Sequence, residues 1–420
     1  MSDRDETKNG RIIEFPGAAQ TEDNDPDEEL RREEARFIQT VNQHKARVRL
    51  VTIILLVLVV FAIIYIFVYR ASKPYTFYEE IFSENITSTD KQQYVNLGDG
   101  ILQYGLNGAS YYSISKKQAW SVVYTMTNPR VEVCGEYAVV FDQNGREGVI
   151  FNTENGKCGE ITTNQTITRA TISAYGAVSM IVDDGLSNNI LFFDKTGAAL
   201  NIKLHTMISA SGYPIDICFS PDGQLLIASF VYIDSGVMQN QIVFYNFDTS
   251  INSDTQIVGA FRKYDDTLFV DVAFISDDRA IACGDGVIVY YSLKNKVKPE
   301  EIAIINENDT ITALTYSEQG VAYATLCGDM VQNHVLKTYN SDGESVYEKD
   351  TNIDIQDMQL TENGLYITGP GTLLYLNRKG KTFYQGRLET SVDKLNASYG
   401  TTDILLVGGS RFSYIKLIRE

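Results

Sequence analysis

Residues 219–229, FSPDGQLLIAS, place a tight turn between two apolar segments. Ser220-Pro221-Asp222-Gly223 sets proline where its fixed φ suits the second turn position, Asp next and Gly last, the order a type I turn favours. Seven further stretches keep the pattern: LGDGILQYG from Leu97, CGEYAVVF from Cys134, SAYGAVSMI from Ser173, FISDDRAIACG from Phe274, YSEQGVAYAT from Tyr316, LTENGLYITG from Leu360 and SYGTTDILLVG from Ser398. Successive starts lie 37, 39, 46, 55, 42, 44 and 38 residues apart. A period of roughly 40–45 residues with four short strands per unit is the signature of a propeller blade.

Working outward, each unit carries a third apolar strand, as in GVIFN at 148, QIVFYN at 241 and TLLYLN at 372, and several then turn through Asn155-Gly156, Thr196-Gly197, Asp342-Gly343 or Lys379-Gly380. That is hairpin chemistry requiring φ > 0. No stretch after residue 90 sustains a helical period. The reading is an all-β propeller over residues 91–420, with eight blades, or seven if the first and last units are halves of one. Its blades loosely resemble those of WD40 and quinoprotein propellers. The last unit holds three strands, which leaves an edge that natural sheets cover. Within the stalk, residues 70–90, Tyr75 to Ile86 can supply the missing strand.

Residues 50–69, LVTIILLVLVVFAIIYIFVY, carry no charge. At ~1.5 Å per residue they span a ~30 Å hydrocarbon core, so a single transmembrane helix is expected, with the lipid bilayer as one partner. Arg31, Arg32, Arg36, Lys45, Arg47 and Arg49 precede the span, and only Arg70 and Lys73 follow closely, which sets the N-terminus in the cytoplasm and the propeller outside the membrane. Residues 1–27 are acidic and broken by Gly and Pro, the composition of a disordered tail. Across 28–49, Leu30, Phe37, Ile38 and Val41 form a narrow apolar stripe of helical period, a juxtamembrane helix.

Composition agrees with a loop-rich β fold: 44% hydrophobic, 31 Gly, 8 Pro, and 26 Tyr beside one Trp. The net charge of −18, of which −16 falls after residue 70, argues against a nucleic-acid partner. Five cysteines, Cys134, Cys158, Cys218, Cys283 and Cys327, make no CxxC and sit mostly in apolar strands, so they read as core. Three histidines are too few for a recognisable zinc set, and no phosphate-binding glycine loop or nucleophile elbow occurs. No cofactor is implied, and the chain reads as a non-enzyme. A carboxylate-dependent glycan-processing enzyme is the remaining catalytic alternative.

Two residue sets are candidate sites. Loops joining second and third strands share one propeller face, and they carry Asp142, Asp183, Asp184, Asp234, Asp285 and Asp329. Such a ring suits a hard cation, although Asp also serves loops through its own backbone bonds. At the start of the innermost strands stand Arg130, Arg169, Tyr213, Asp216, Asp271, Asp357 and Lys394. Alternate residues there face the axis, where mixed charges suit a small polar ligand; the plainer reading is a hydrated channel with its charges paired. The loop YIDSGVMQNQ, residues 232–241, is expected to protrude as a contact.

The runs NPRVEVCGEYAVVF, FFDKTG, SGYPIDICFSPDGQLLIASFVYIDSGV and IVFYNF resemble an uncharacterised family of Gram-positive bacterial membrane proteins, a domain of unknown function with one N-terminal span and an external propeller-like region. The resemblance implies an envelope location and no active site. The expected role is a membrane-anchored interaction scaffold with envelope proteins as partners. The alternative is a binding or sensing module for a small ligand such as a glycan fragment.

Overall fold

The computed structural model describes residues 26–86, 92–114, 117–185, 187–206, 212–248, 256–262, 264, 267–326, 334–398 and 400–419. The chain divides into two units, 1–73 and 74–420.

In the first unit a single α-helix runs Pro26–Ala71, through both the expected juxtamembrane and membrane-spanning segments. Proline in the first turn costs no hydrogen bond, and Asp27 complements the dipole there as Arg70 does at the other end. The Thr52 hydroxyl donates to the Val48 carbonyl at 2.8 Å, which satisfies it without water. The helix is long and apolar enough to cross a membrane.

The second unit is a β-propeller of eight four-stranded antiparallel sheets. Blades 1 to 7 follow in chain order: Gln93–Val123, Pro129–Thr162, Thr166–Thr206, Tyr213–Phe261, Phe269–Asn306, Ile311–Thr351 and Asp357–Arg387, each innermost strand first. Blade 8 takes three strands from Lys394–Asn396, Asp403–Gly408 and Arg411–Ile418, and its outer strand is Phe77–Asn85. That strand pairs from Phe77↔Ile418 to Asn85↔Arg411. The seven-blade alternative is therefore excluded, and the closing strand comes from within Tyr75 to Ile86, the part of the stalk segment expected to supply it. The Arg411 guanidinium fastens the seam to the Glu80 carboxylate at 2.6 Å and to the Ser83 hydroxyl at 2.8 Å.

Each blade presents alternate apolar residues to its two neighbours, and eight buried clusters result, one per blade interface. Between blades 5 and 6, for example, Ile281, Ile288, Tyr290, Val321 and Tyr323 meet with almost no exposure. Burying side chains of this size stabilises by about 1.5–3 kcal/mol each. Among the described residues the interface between blades 8 and 1 has the smallest cluster, with Ile86, Ile101, Tyr112, Leu405, Val407 and Phe412.

The turns are as the sequence requires. In blade 4 the Ser220 hydroxyl accepts the Leu225 N–H at 2.9 Å and donates to Asp222 Oδ1 at 2.6 Å. Gly364 begins a second strand at φ 143°, where a Cβ would stand 2.1 Å from the Leu376 carbonyl oxygen, so no other residue fits. Segment 232–241 is a correction: it is not a loop. Strands Leu225–Asp234 and Val237–Asn246 pair through ten rungs to the tip, where Ser235 and Gly236, at φ 52° and 84°, make the turn. Both positive values match the hairpin type whose twist suits long strands.

Candidate functional site

The innermost strands of the eight blades line the axis, and each begins at the face that also carries the loops between second and third strands. In blades 3, 4, 5 and 6 the innermost strand has a register shift near its start, between Ile167 and Arg169, Pro214 and Asp216, Phe269 and Asp271, and Ile311 and Ala313. A bulge re-aims the side chain that follows it. Three of these four positions are the charged residues Arg169, Asp216 and Asp271.

Those three come together with two residues the sequence reading missed, Glu132 from blade 2 and Tyr316 from blade 6. Arg169 Nε lies 3.8 Å from Asp216 Oδ1, and Asp216 Oδ2 accepts the Val272 N–H at 2.9 Å. Burial, then the Asp216 and Asp271 charges, push the Glu132 carboxyl up to about 8, with Arg169 opposing. Burial and Asp271 push Asp216 up to about 7, and burial raises Asp271. Glu132 and Tyr316 have open surface, yet protein surrounds them on all sides, as it does the wall of a narrow channel. Water reaches them only in a confined space, which is why the direction of these shifts is upward. Glu132 and Asp216 thus share the Arg169 guanidinium, with Asp271 beside them, and burial favours the protonated form of all three carboxyls.

The other axial candidates fall elsewhere. Asp357 accepts Lys394 Nζ and the Leu395 N–H, each at 2.8 Å, so this pair neutralises itself while tying blade 7 to blade 8. Arg130 is exposed and donates from Nε to Gln143 Oε1 at 3.1 Å. The Tyr213 hydroxyl donates to Asp183 Oδ2 at 3.4 Å; burial and that carboxylate raise its pKa. Blade-to-blade bonds like that of Asp357 recur: Thr171 Oγ1 accepts the Phe219 N–H at 3.1 Å, and Asn396 Nδ2 donates to the Gly100 carbonyl at 2.7 Å across the seam.

Among the described rim carboxylates, Asp183 and Asp184 line one cavity, and the others are engaged or exposed in their own turns. Asp142 Oδ1 accepts the Thr127 and Asn128 N–H groups at 3.0 and 2.6 Å. Asp183 accepts the Gly185 N–H at 2.7 Å, and Asp184 accepts the Ser187 N–H at 2.7 Å and Gln165 Nε2 at 2.9 Å. Asp234 accepts the Ser235 hydroxyl at 3.1 Å and Asp285 is exposed in its turn. Asp329 and Cys327 lie outside the described residues. Among the described residues no three His, Cys, Asp or Glu side chains are placed to hold a metal ion. Turn bonding accounts for the rim Asp residues that are engaged. Cys134, Cys158, Cys218 and Cys283 are free thiols; burial pushes Cys134 up to about 11 and raises the others, so they are poor nucleophiles.

Where blades 2, 3 and 4 meet on the same face, a cavity of about 540 Å³ opens. It is lined by Asn144, Arg146, Asn164, Asp183, Asp184 and Tyr213, among others. Asp183, Asp184 and Tyr213 had been drawn from the two separate candidate sets. Arg146 and Asn144 had not been singled out, and Asn164 stood out only as the head of the sequon Asn164-Gln165-Thr166, not as a binding residue.

The axial channel and the loop face define a β-propeller protein, and solved structures agree. The Dos1 propeller superposes with a TM-score of 0.52 at 12% identity, over 83% of this chain and 95% of that one. Sqt1 of Chaetomium thermophilum gives 0.50 at 13% identity, over 79% and 98%. At these identities the likeness is one of fold. The chain belongs to a family of unknown function, DUF5711, whose model matches residues 71–417. No curated protein sequence matches it.

Proposed function

We propose that this protein is a membrane-tethered, extracytoplasmic scaffold of the bacterial cell envelope, non-enzymatic, whose propeller docks protein partners. The basic residues before the apolar span 50–69, six against two behind it, support a cytoplasmic N-terminus. The observation that carries the scaffold reading is the blade 4 hairpin. It extends a ten-rung strand pair past the rim and exposes Ile233, Val237 and Met238 at 78%, 52% and 46%. Apolar side chains held out on a rigid element are contact chemistry, since their burial against a partner is the favourable step.

The test is in-cell photocrosslinking of the full chain with the crosslinker at Gln239. It is repeated in an Ile233→Asp/Met238→Asp variant and in a chain lacking residues 1–47. Envelope proteins captured by the parent and lost in the double variant support the scaffold. Capture no greater than from an unrelated anchored domain overturns it. The comparison lacking residues 1–47 shows whether docking outside needs the tail.

A further inference from the structure

The cavity at the junction of blades 2, 3 and 4 has a wall of fixed acceptors beside uncommitted donors. Asp183 and Asp184 are held by the turn N–H groups of Gly185 and Ser187, so their oxygens are set in place before anything binds. Asn144 is held at φ 67°, with its N–H on the Ile167 carbonyl at 2.8 Å. Asparagine tolerates that conformation better than most residues, and a backbone kept there by a long-range bond is a rigid mount for its amide. Arg146 is exposed and forms no ion pair among the described residues. Among the described lining residues Tyr213 contributes the one aromatic ring, and none is an alanine, valine, leucine or isoleucine.

These features exclude most ligand classes in turn. An anion meets two carboxylates, a cation meets the guanidinium, and an apolar molecule finds no apolar wall to leave water for. A hydroxyl group fits every part, because it donates to a carboxylate and accepts from a guanidinium or an amide, in bonds strengthened by the charge. We propose that this cavity binds a neutral polyhydroxylated ligand, a saccharide of one or two rings. Tyr213 supplies a flat surface for the C–H face of a ring, and the volume lies within the ~300–1,000 Å³ of small-ligand sites. The inference stands apart from the scaffold reading, since the hairpin apolar residues take no part in the wall.

The test uses the full chain in lipid nanodiscs and saturation-transfer NMR, with maltose, cellobiose and N,N′-diacetylchitobiose as separate probes and inorganic phosphate as competitor. Saturable binding of at least one disaccharide is expected, unaffected by phosphate. Arg146→Ala should weaken it about tenfold, the loss expected for a hydrogen bond to a charged group, and Arg146→Lys less. Arg146 is exposed, so the thermal midpoint should stay at the parent value; Asn164→Ala, also exposed, is a second variant expected to weaken binding. The proposal is overturned by no saturable binding of any of the three, by binding that both alanine variants leave unchanged, or by competition from phosphate. Loss of partner capture in the Ile233 variant with saccharide binding intact separates this site from the docking surface.

Discussion

Glu132 is a carboxylic acid kept partly protonated by its surroundings, and this has a sign in stability. The folded values, about 8 for Glu132 and about 7 for Asp216, stand above the ~4 both have in an unfolded chain. The native state therefore binds more protons than the unfolded state between those limits. The stability from this cluster is complete below about pH 4 and is lost as pH rises through 7 and 8. Glu132→Gln, neutral at every pH, should flatten the fall in melting temperature between pH 6 and 9 and raise it at pH 8.5 by on the order of 2 °C. A parallel downward shift at all pH values would instead show that the carboxyl is ionised and bonded. Asp216 and Asp271 were legible as axial residues from their place at the strand start. Glu132 was not, although it follows Arg130 at a spacing of two on the same strand face. The bulges were not legible either, since one extra residue in a strand leaves the hydrophobic pattern nearly intact while turning the next side chain.

At the scale of the strand, turn chemistry and alternation specified almost every pairing, because each blade interface is dry and a slip by one residue would expose it. The blade 4 hairpin shows the limit. Its tip is polar and apolar by turns with no buried face, so nothing in YIDSGVMQNQ distinguished paired strands from a loop. The seam between blades 8 and 1 is where a single side chain counts most. Phe412 is fully buried, with its ring centroid 5.3 Å from that of Tyr112. Phe412→Ala should cost about 3–5 kcal/mol in denaturant unfolding and expose the outer strand Phe77–Asn85 to proteolysis before the other blades. Equal cleavage around the ring would show that the seam is no weaker than its neighbours.

For the molecule as a whole, eight similar interfaces share one closure. A cross-link there restrains the ring as no local contact does. Glu79 and Lys416 are both exposed and directly paired, and neighbouring antiparallel residues lie ~4.5–5.5 Å apart at Cα, within disulfide reach. Glu79→Cys with Lys416→Cys should stabilise the oxidised protein by roughly 2–5 kcal/mol over the reduced form, because it closes a very long loop. Equal stability of the two forms would mean that unfolding begins elsewhere in the ring. Closure by the early strand was readable from an unpaired edge at one end and a spare apolar segment at the other. The cavity between blades 2, 3 and 4 was not, because its wall is assembled from three blades and no single stretch contains it.

The seam also sets a timetable. Glu80 and Arg411, which hold it, are 331 positions apart. At ~5–20 residues per second of synthesis, the first strand of the ring is made some 15–65 seconds before its partner exists. Throughout that interval the strand Phe77–Asn85 has no partner strand of its own to pair with. Pairing of that edge therefore waits until Arg411–Ile418 has been made.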